Sequence, residues 1–271
     1  MQKINFIKMV ASGNDFVVID NRHKVTKSQS YKALAQKICD RKFGLGADGL
    51  LLLEKSKRAN LKMRIFNADG SEAEMCGNGA RCVAFWLNAK RKSAGSKFKI
   101  ETKAGIIATE VIGNRARIRL SDPKDIELDI PLKVYNRNLK VNFINTGVPH
   151  TVIFVQGLEK IDVFNLGQAI RYHKGFVPEG TNVDFVEVLG HNSIAIRTYE
   201  LGVEDETLAC GTGSAAAALI FTLQTKAQDK IYIHTRGKEI LAVYFKRTED
   251  RFSEVWLEGK AGIVFQGRIA Y

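Results

Sequence analysis

Polarity alternates residue by residue along several short stretches of the chain, which is the period of a strand with one buried face. Residues 61 to 67 and 193 to 200 alternate in this way, and a third stretch from 106 closes on Arg115-Ala116-Arg117-Ile118-Arg119-Leu120. Four helices interrupt the strand pattern, predicted over 28 to 40, 77 to 91, 161 to 172 and 211 to 226. Gly44 and Gly46, and the Lys174-Gly175 and Glu179-Gly180 region, mark the turns that follow the first and third helices.

The pattern occurs twice. Ile4-Asn5-Phe6-Ile7 matches Val141-Asn142-Phe143-Ile144, and Met63-Arg64-Ile65-Phe66-Asn67 matches Ile196-Arg197-Thr198-Tyr199-Glu200. Cys76 then matches Cys210, and Phe98-Lys99-Ile100-Glu101-Thr102 matches Ile231-Tyr232-Ile233-His234-Thr235; all four pairs keep the same order at offsets of 133 to 137 positions. A repeat of that length is a domain rather than a solenoid unit. The chain therefore reads as two α/β domains of one fold, 1–120 carrying Cys76 and 121–271 carrying Cys210. Their boundary falls near Ser121-Asp122-Pro123, and the last strand, near Gly262-Ile263-Val264-Phe265, is free to return to the first domain.

Composition agrees with a folded enzyme-sized chain: 271 residues, 45% of them hydrophobic. No apolar run approaches the roughly 20 residues of a bilayer span and no signal-peptide core follows Met1, so the expectation is a cytoplasmic protein with no membrane partner. The net charge of +12 is large, yet it is dispersed in short groups such as Lys55-Ser56-Lys57-Arg58 and Lys90-Arg91-Lys92. These read as solvated turns and helix ends, which argues against nucleic acid as a partner and leaves steering of an anionic metabolite as the use of the field.

Four cysteines without CxxC spacing do not make a disulfide scaffold or a metal site, so no metal is expected. Cys39 and Cys82 fall late or midway in helices and read as core. Cys76 and Cys210 each open a helix, in Met75-Cys76-Gly77-Asn78-Gly79 and Ala209-Cys210-Gly211-Thr212-Gly213. A cysteine at a tight helix start is often a buried core residue. Two of them related by the repeat, each in Cys-Gly-x-Gly, point instead to a pair that moves a proton at a substrate carbon. Glycines there weaken a helix but let a carboxylate approach the first-turn N–H groups, and the N-terminal field favours one thiol as thiolate. Such a pair abstracts and returns an α-proton without an imine cofactor. Asn14 and His150 sit in corresponding earlier turns, Asp48 corresponds to Asn182, and Asn67 and Glu200 end the strands leading to the cysteine loops. Each also has an ordinary role open to it, as a turn cap or a structural histidine.

With these residues in place, the sequence resembles the diaminopimelate epimerase family. The resemblance runs through Gly13-Asn14-Asp15-Phe16, Gly46-Ala47-Asp48-Gly49, Phe66-Asn67-Ala68-Asp69-Gly70, Cys76-Gly77-Asn78-Gly79-Ala80-Arg81-Cys82, Pro149-His150, Thr181-Asn182, Glu200, and Glu206-Thr207 with Ala209-Cys210-Gly211-Thr212-Gly213. It implies two pseudo-symmetric domains, each a barrel-like sheet around a central helix, and a cofactor-independent homodimeric enzyme interconverting LL- and meso-diaminopimelate in lysine and peptidoglycan precursor biosynthesis. By this resemblance Cys76 is the base toward the LL isomer and Cys210 toward the meso isomer. Gly77, Asn78, Gly211 and Thr212 would meet the α-carboxylate, while Asn14, Asn67 and Asn182 would hold the amino and distal ends. His150 and Glu200 would tune the thiols and orient the reacting amine, with Glu200 also contacting substrate.

Two departures bear on the distal end of that substrate. Val148 stands where the pattern has asparagine before Pro-His, and Leu201 stands where it has arginine after the glutamate; Asp205 extends the following loop. The alternative is thus an amino-acid racemase or epimerase of the same family with altered distal-group specificity.

Overall fold

The computed structural model describes residues 3–26, 31–90, 96–225, 229–249 and 251–270. In chain order the elements are β1 (Lys3–Ala11), β2 (Asn14–Asp20), α1 (Tyr31–Cys39), β3 (Gly49–Glu54), β4 (Leu61–Asn67), β5 (Glu72–Ala73), α2 (Gly77–Lys90), β6 (Ser96–Thr102), β7 (Gly105–Ile112) and β8 (Arg115–Arg119). There follow β9 (Lys124–Val134), β10 (Arg137–Asn145), β11 (Pro149–Phe154), α3 (Val163–Arg171), β12 (Asn182–Gly190), β13 (Ser193–Glu200), β14 (Asp205–Thr207), α4 (Gly211–Thr225), β15 (Lys230–Thr235), β16 (Ile240–Thr248), β17 (Arg251–Lys260) and β18 (Gly262–Ala270). Two compact units divide the chain: Met1–Ile118 with Gly259–Tyr271, and Arg119–Glu258.

The same pairing order builds each unit. In the first, β1 and β2 are antiparallel, β2 and β3 parallel across α1, β3 and β4 antiparallel, and β4 and β6 parallel across α2, before β6, β7 and β8 meander. In the second the series is β10, β11, β12 across α3, β13, β15 across α4, then β16 and β17. Parallel neighbours require a crossover, and a helix supplies each one. In the second unit β9 lies beside β10; the matching place beside β1 is filled by β18, from the far end of the chain.

Each sheet wraps around one helix. α2 touches β1, β4, β6, β7 and β18, while α4 touches β10 to β13, β15 and β16. A helix surrounded by strands is buried on every side, as the run Gly213–Thr222 of α4 is. The small residues Ala215 to Ala218 let the strands close on it. α1 covers the opposite face with Leu34, Ala35 and Ile38, against Val17, Ile19, Leu50, Leu52 and Phe66. With both faces covered, β3 carries an unbroken buried run, Leu50–Leu53, instead of alternating.

The four predicted helices are all present, with shifted ends. Residues 28–30, 91 and 226 of the predicted spans lie outside the described residues. α3 begins at Val163 rather than 161 because the Asp162 carboxylate caps it, accepting the Asn165 N–H at 3.1 Å. The stretch from 106 to 120 is two strands, since Gly113, at φ 59°, turns the chain between them. Among the described residues no helix is long and apolar enough to cross a membrane.

Candidate active site

In the first unit Cys76 stands one residue before α2 and its sulfur accepts the Gly79 N–H at 3.4 Å, as an N-cap side chain does. The Gly77 and Asn78 N–H groups lie at the open end of the helix. Asn14, at the start of β2, brings Oδ1 to 4.0 Å from the Cys76 sulfur and accepts Asn78 Nδ2 at 3.3 Å. Its own Nδ2 donates to Asp48 at 2.7 Å. Arg81, fully buried in the second turn of α2, donates to Asn78 Oδ1 and to Ser12 Oγ. A cation at one end and an anion at the other thus fix which way both amides face. Asn67 ends β4 and donates to Ser71 Oγ at 3.0 Å.

Behind Asn14 lies a charged cluster. Asp15 pairs with Lys8 at 2.6 Å and with Arg41 at 2.8 Å, and Arg41 also reaches Asp48 at 2.7 Å. Burial alone would raise the Asp15 carboxyl, but the Arg41 and Lys8 hydrogen bonds outweigh it and hold the group well below the usual carboxylate range.

The second unit repeats the helix start. Cys210 precedes α4, its sulfur accepts the Gly213 N–H at 3.4 Å, and Thr212 Oγ1 lies 3.4 Å away. Gly211 and Thr212 hold the places of Gly77 and Asn78. The surroundings differ, however. Cys76 is half-buried, whereas Cys210 is buried, and burial followed by the nearby Glu200 and Asp184 carboxylates pushes its thiol well above the ordinary value. The helix N-terminus does not by itself make this sulfur a thiolate; desolvation outweighs it.

Glu200, ending β13, accepts Thr207 Oγ1–H at 2.9 Å, and burial raises its carboxyl despite that bond and the nearby His150. His150, on β11, is buried with Nδ1 2.7 Å from Asp184 Oδ2. Asn182, opposite His150 in the β11–β12 register, donates Nδ2 to Pro149 O at 2.9 Å and accepts the Leu201 backbone N–H at 2.8 Å. That amide ties the start of β12 to the loops carrying Val148, which is exposed, and Leu201, which is half-buried.

The structure thus groups Asn14, Asn78 and Cys76 in one unit, and His150, Glu200 and Cys210 in the other around Asp184. Asp184, Thr198 and Thr207 were not among the candidate site residues read from the sequence. Asp184 carried a signal, as a lone acid inside the apolar strand Val183-Asp184-Phe185-Val186, where a buried charge needs partners. Among the described residues no cluster of three or more His, Cys, Asp or Glu side chains is arranged to hold a metal ion.

The profile of the family described as diaminopimelate epimerase matches residues 6–122 and 142–263. The diaminopimelate epimerase of Aquifex aeolicus is 42% identical over 98% of each chain, and that of Methanocella arvoryzae is 40% identical over 99% of this chain and 98% of its own. In fold the chain is similar to a Bacillus anthracis phenazine biosynthesis protein of the PhzF family, with a TM-score of 0.78 and 16% identity over all of both chains. It is also similar to a hydroxyproline epimerase from Agrobacterium vitis, with a TM-score of 0.68 and 15% identity over 99% of this chain and 93% of that one.

Proposed function

The chain belongs to the diaminopimelate epimerase family, and on that premise we propose that Cys76 and Cys210 are the two groups that invert one α-carbon as it interconverts LL- and meso-diaminopimelate. The activity is that of an isomerase of lysine biosynthesis; the same product serves peptidoglycan precursors. One sulfur, as thiolate, takes the α-proton and becomes a thiol. The electron pair left on the α-carbon spreads into the carboxylate, which the N–H groups of Gly77, Asn78, Gly211 and Thr212 stabilise. The other thiol gives its proton to the opposite face and becomes the thiolate. Protons balance, the centre inverts, and no cofactor enters.

The observation that carries this reading is the repetition of one device: a cysteine capping, through sulfur, the helix that each sheet encloses. The differing surroundings support a division of labour. Burial and the nearby carboxylates push the Cys210 thiol above its ordinary value, which suits a proton donor; the family resemblance assigns Cys76 as the base toward the LL isomer and Cys210 toward the meso isomer. Asn14, Asn67 and Asn182 hold the amino and distal ends of the substrate, while His150 and Glu200 orient the reacting amine.

Incubation with LL-diaminopimelate in deuterated water tests it. We expect inversion with deuterium at one α-carbon, abolished in Cys76→Ser and in Cys210→Ser. Turnover of single-stereocentre amino acids without turnover of diaminopimelate would instead select the altered-specificity reading, which Val148 and Leu201 favour.

We further propose a cytoplasmic homodimer joined through β18, whose Ile263, Val264 and Phe265 are 44%, 57% and 45% exposed in a row. Sedimentation of Phe265→Glu as a monomer, against a wild-type dimer, is the expected result.

A further inference from the structure

Asp184 lies in the middle of a buried arrangement that the sequence reading did not assign. His150 on β11, Asp184 on β12 and Thr198 on β13 occupy adjacent strands, with Asp184 and Thr198 in register. One carboxylate oxygen, Oδ2, stands 2.7 Å from His150 Nδ1, and the other, Oδ1, accepts Thr198 Oγ1–H at 2.7 Å. Neither the His150 nor the Asp184 side chain has any exposed surface. The start of α4 closes a third side, because the carboxylate fills the space beside Gly213. Asp184 therefore cannot swing away from the imidazole.

A carboxylate accepts hydrogen bonds and does not donate them, so in the neutral imidazole the proton of this pair sits on Nδ1. Nε2 then keeps its lone pair. That nitrogen is buried and has no hydrogen-bond partner among the described residues. A polar atom buried without a partner is costly unless something supplied from outside completes it.

We propose that Asp184 is a positioning residue that locks His150 in the Nδ1–H tautomer, so that Nε2 meets the substrate as an acceptor for its α-ammonium group. The identity of that substrate rests on the epimerase reading; the tautomer does not. An asparagine at 184 has nearly the same shape, but its amide can donate to Nδ1 and turn the imidazole into the opposite tautomer, with N–H aimed at a group that is itself a donor.

The test is the 15N spectrum of histidine-labelled full-length protein, with the His150 signals assigned by their loss in His150→Gln. We expect a pyridine-type Nε2 and a pyrrole-type Nδ1 in the wild type. In Asp184→Asn we expect that pattern to be lost and kcat to fall on the order of 10²- to 10⁴-fold, with KM changed far less. Thr198→Val, which removes the second hydrogen bond and no charge, retains the tautomer with a smaller loss of kcat; it carries the test with the wild-type spectrum if Asp184→Asn does not fold. A protonated Nε2 in the wild type, or a folded Asp184→Asn protein with wild-type kcat, overturns the proposal. Absence of diaminopimelate turnover by the wild type would defeat the epimerase reading and leave the spectral result standing.

Discussion

Oδ1 of Asp184 lies 2.4 Å from where a Cβ on Gly213 would stand. The last glycine of Cys210-Gly211-Thr212-Gly213 is therefore required by packing as well as by ligand access. A Cβ on its counterpart Gly79 would instead stand 3.2 Å from Leu51, and one on the first glycine of each motif would stand 3.0 Å from Ile118 at Gly77 and 2.8 Å from Leu257 at Gly211. Both helix starts press directly onto their sheets, which is why a residue type that weakens helices opens each of them.

Gly213→Ala should accordingly destabilise the protein by about 1–3 kcal/mol, the cost of overpacking a close-fitted site. Gly190 is the comparison, since nothing lies within 4 Å of its added Cβ. Urea unfolding of Gly190→Ala should stay within about 0.5 kcal/mol of the wild type. Equal losses in the two variants would mean that Asp184 yields to the methyl group.

Glu200 and Cys210 share a buried region in which neither ionises readily, and each is raised chiefly by desolvation. A carboxyl raised in the folded state contributes stability below its unfolded value and loses it as pH climbs through the folded one. Glu200→Gln should thus be more stable than the wild type at neutral pH, with the difference closing in acid. Removing that negative charge should also shift the alkylation of Cys210 by iodoacetamide to lower pH, followed by mass spectrometry of the Cys210 peptide. Activity should fall as stability rises, because a group held against its ionisation preference is retained for what it does.

The sequence told most where a local pattern implied one arrangement. The repeat located both cysteine loops because Asn67 and Glu200 end equivalent strands, whereas the enclosed helix was implied only by the family resemblance. Wrapping itself was not readable from period two, since β3 and β12 are covered on both faces and lose their alternation. Asp184 escaped for a related reason. Its partners His150 and Thr198 are distant in sequence and meet only through strand register, which periodicity does not supply.

Lys8 and Asp15 lend themselves to a second pH test. The Asp15 carboxyl is depressed, so its contribution is present above the ordinary aspartate range and disappears as pH falls through the folded-state value. Lys8→Met removes one of its two cationic partners and leaves Arg41. We expect a loss of about 2–3 kcal/mol at pH 7 by urea unfolding, less than for a pair broken outright. The wild-type and variant curves should converge in acid, and a gap that persists there would trace the loss to packing of the lysine stem.

Leu201 offers the sharpest test of substrate choice. Its backbone N–H is held by Asn182 Oδ1 at 2.8 Å, so the chain there is fixed independently of the side chain, which is only half-buried. An arginine can therefore replace it without moving the strand end. A guanidinium that pairs with a distal carboxylate acts on binding in ground and transition states alike, which lowers KM and leaves kcat nearly unchanged. We expect Leu201→Arg to raise kcat/KM for LL-diaminopimelate about tenfold, equivalent to about 1.4 kcal/mol of added binding, with no gain for amino acids lacking a distal carboxylate. A variant no better than the wild type, tested at low ionic strength where the contact is strongest, would mean that another cation of this basic chain already serves that carboxylate.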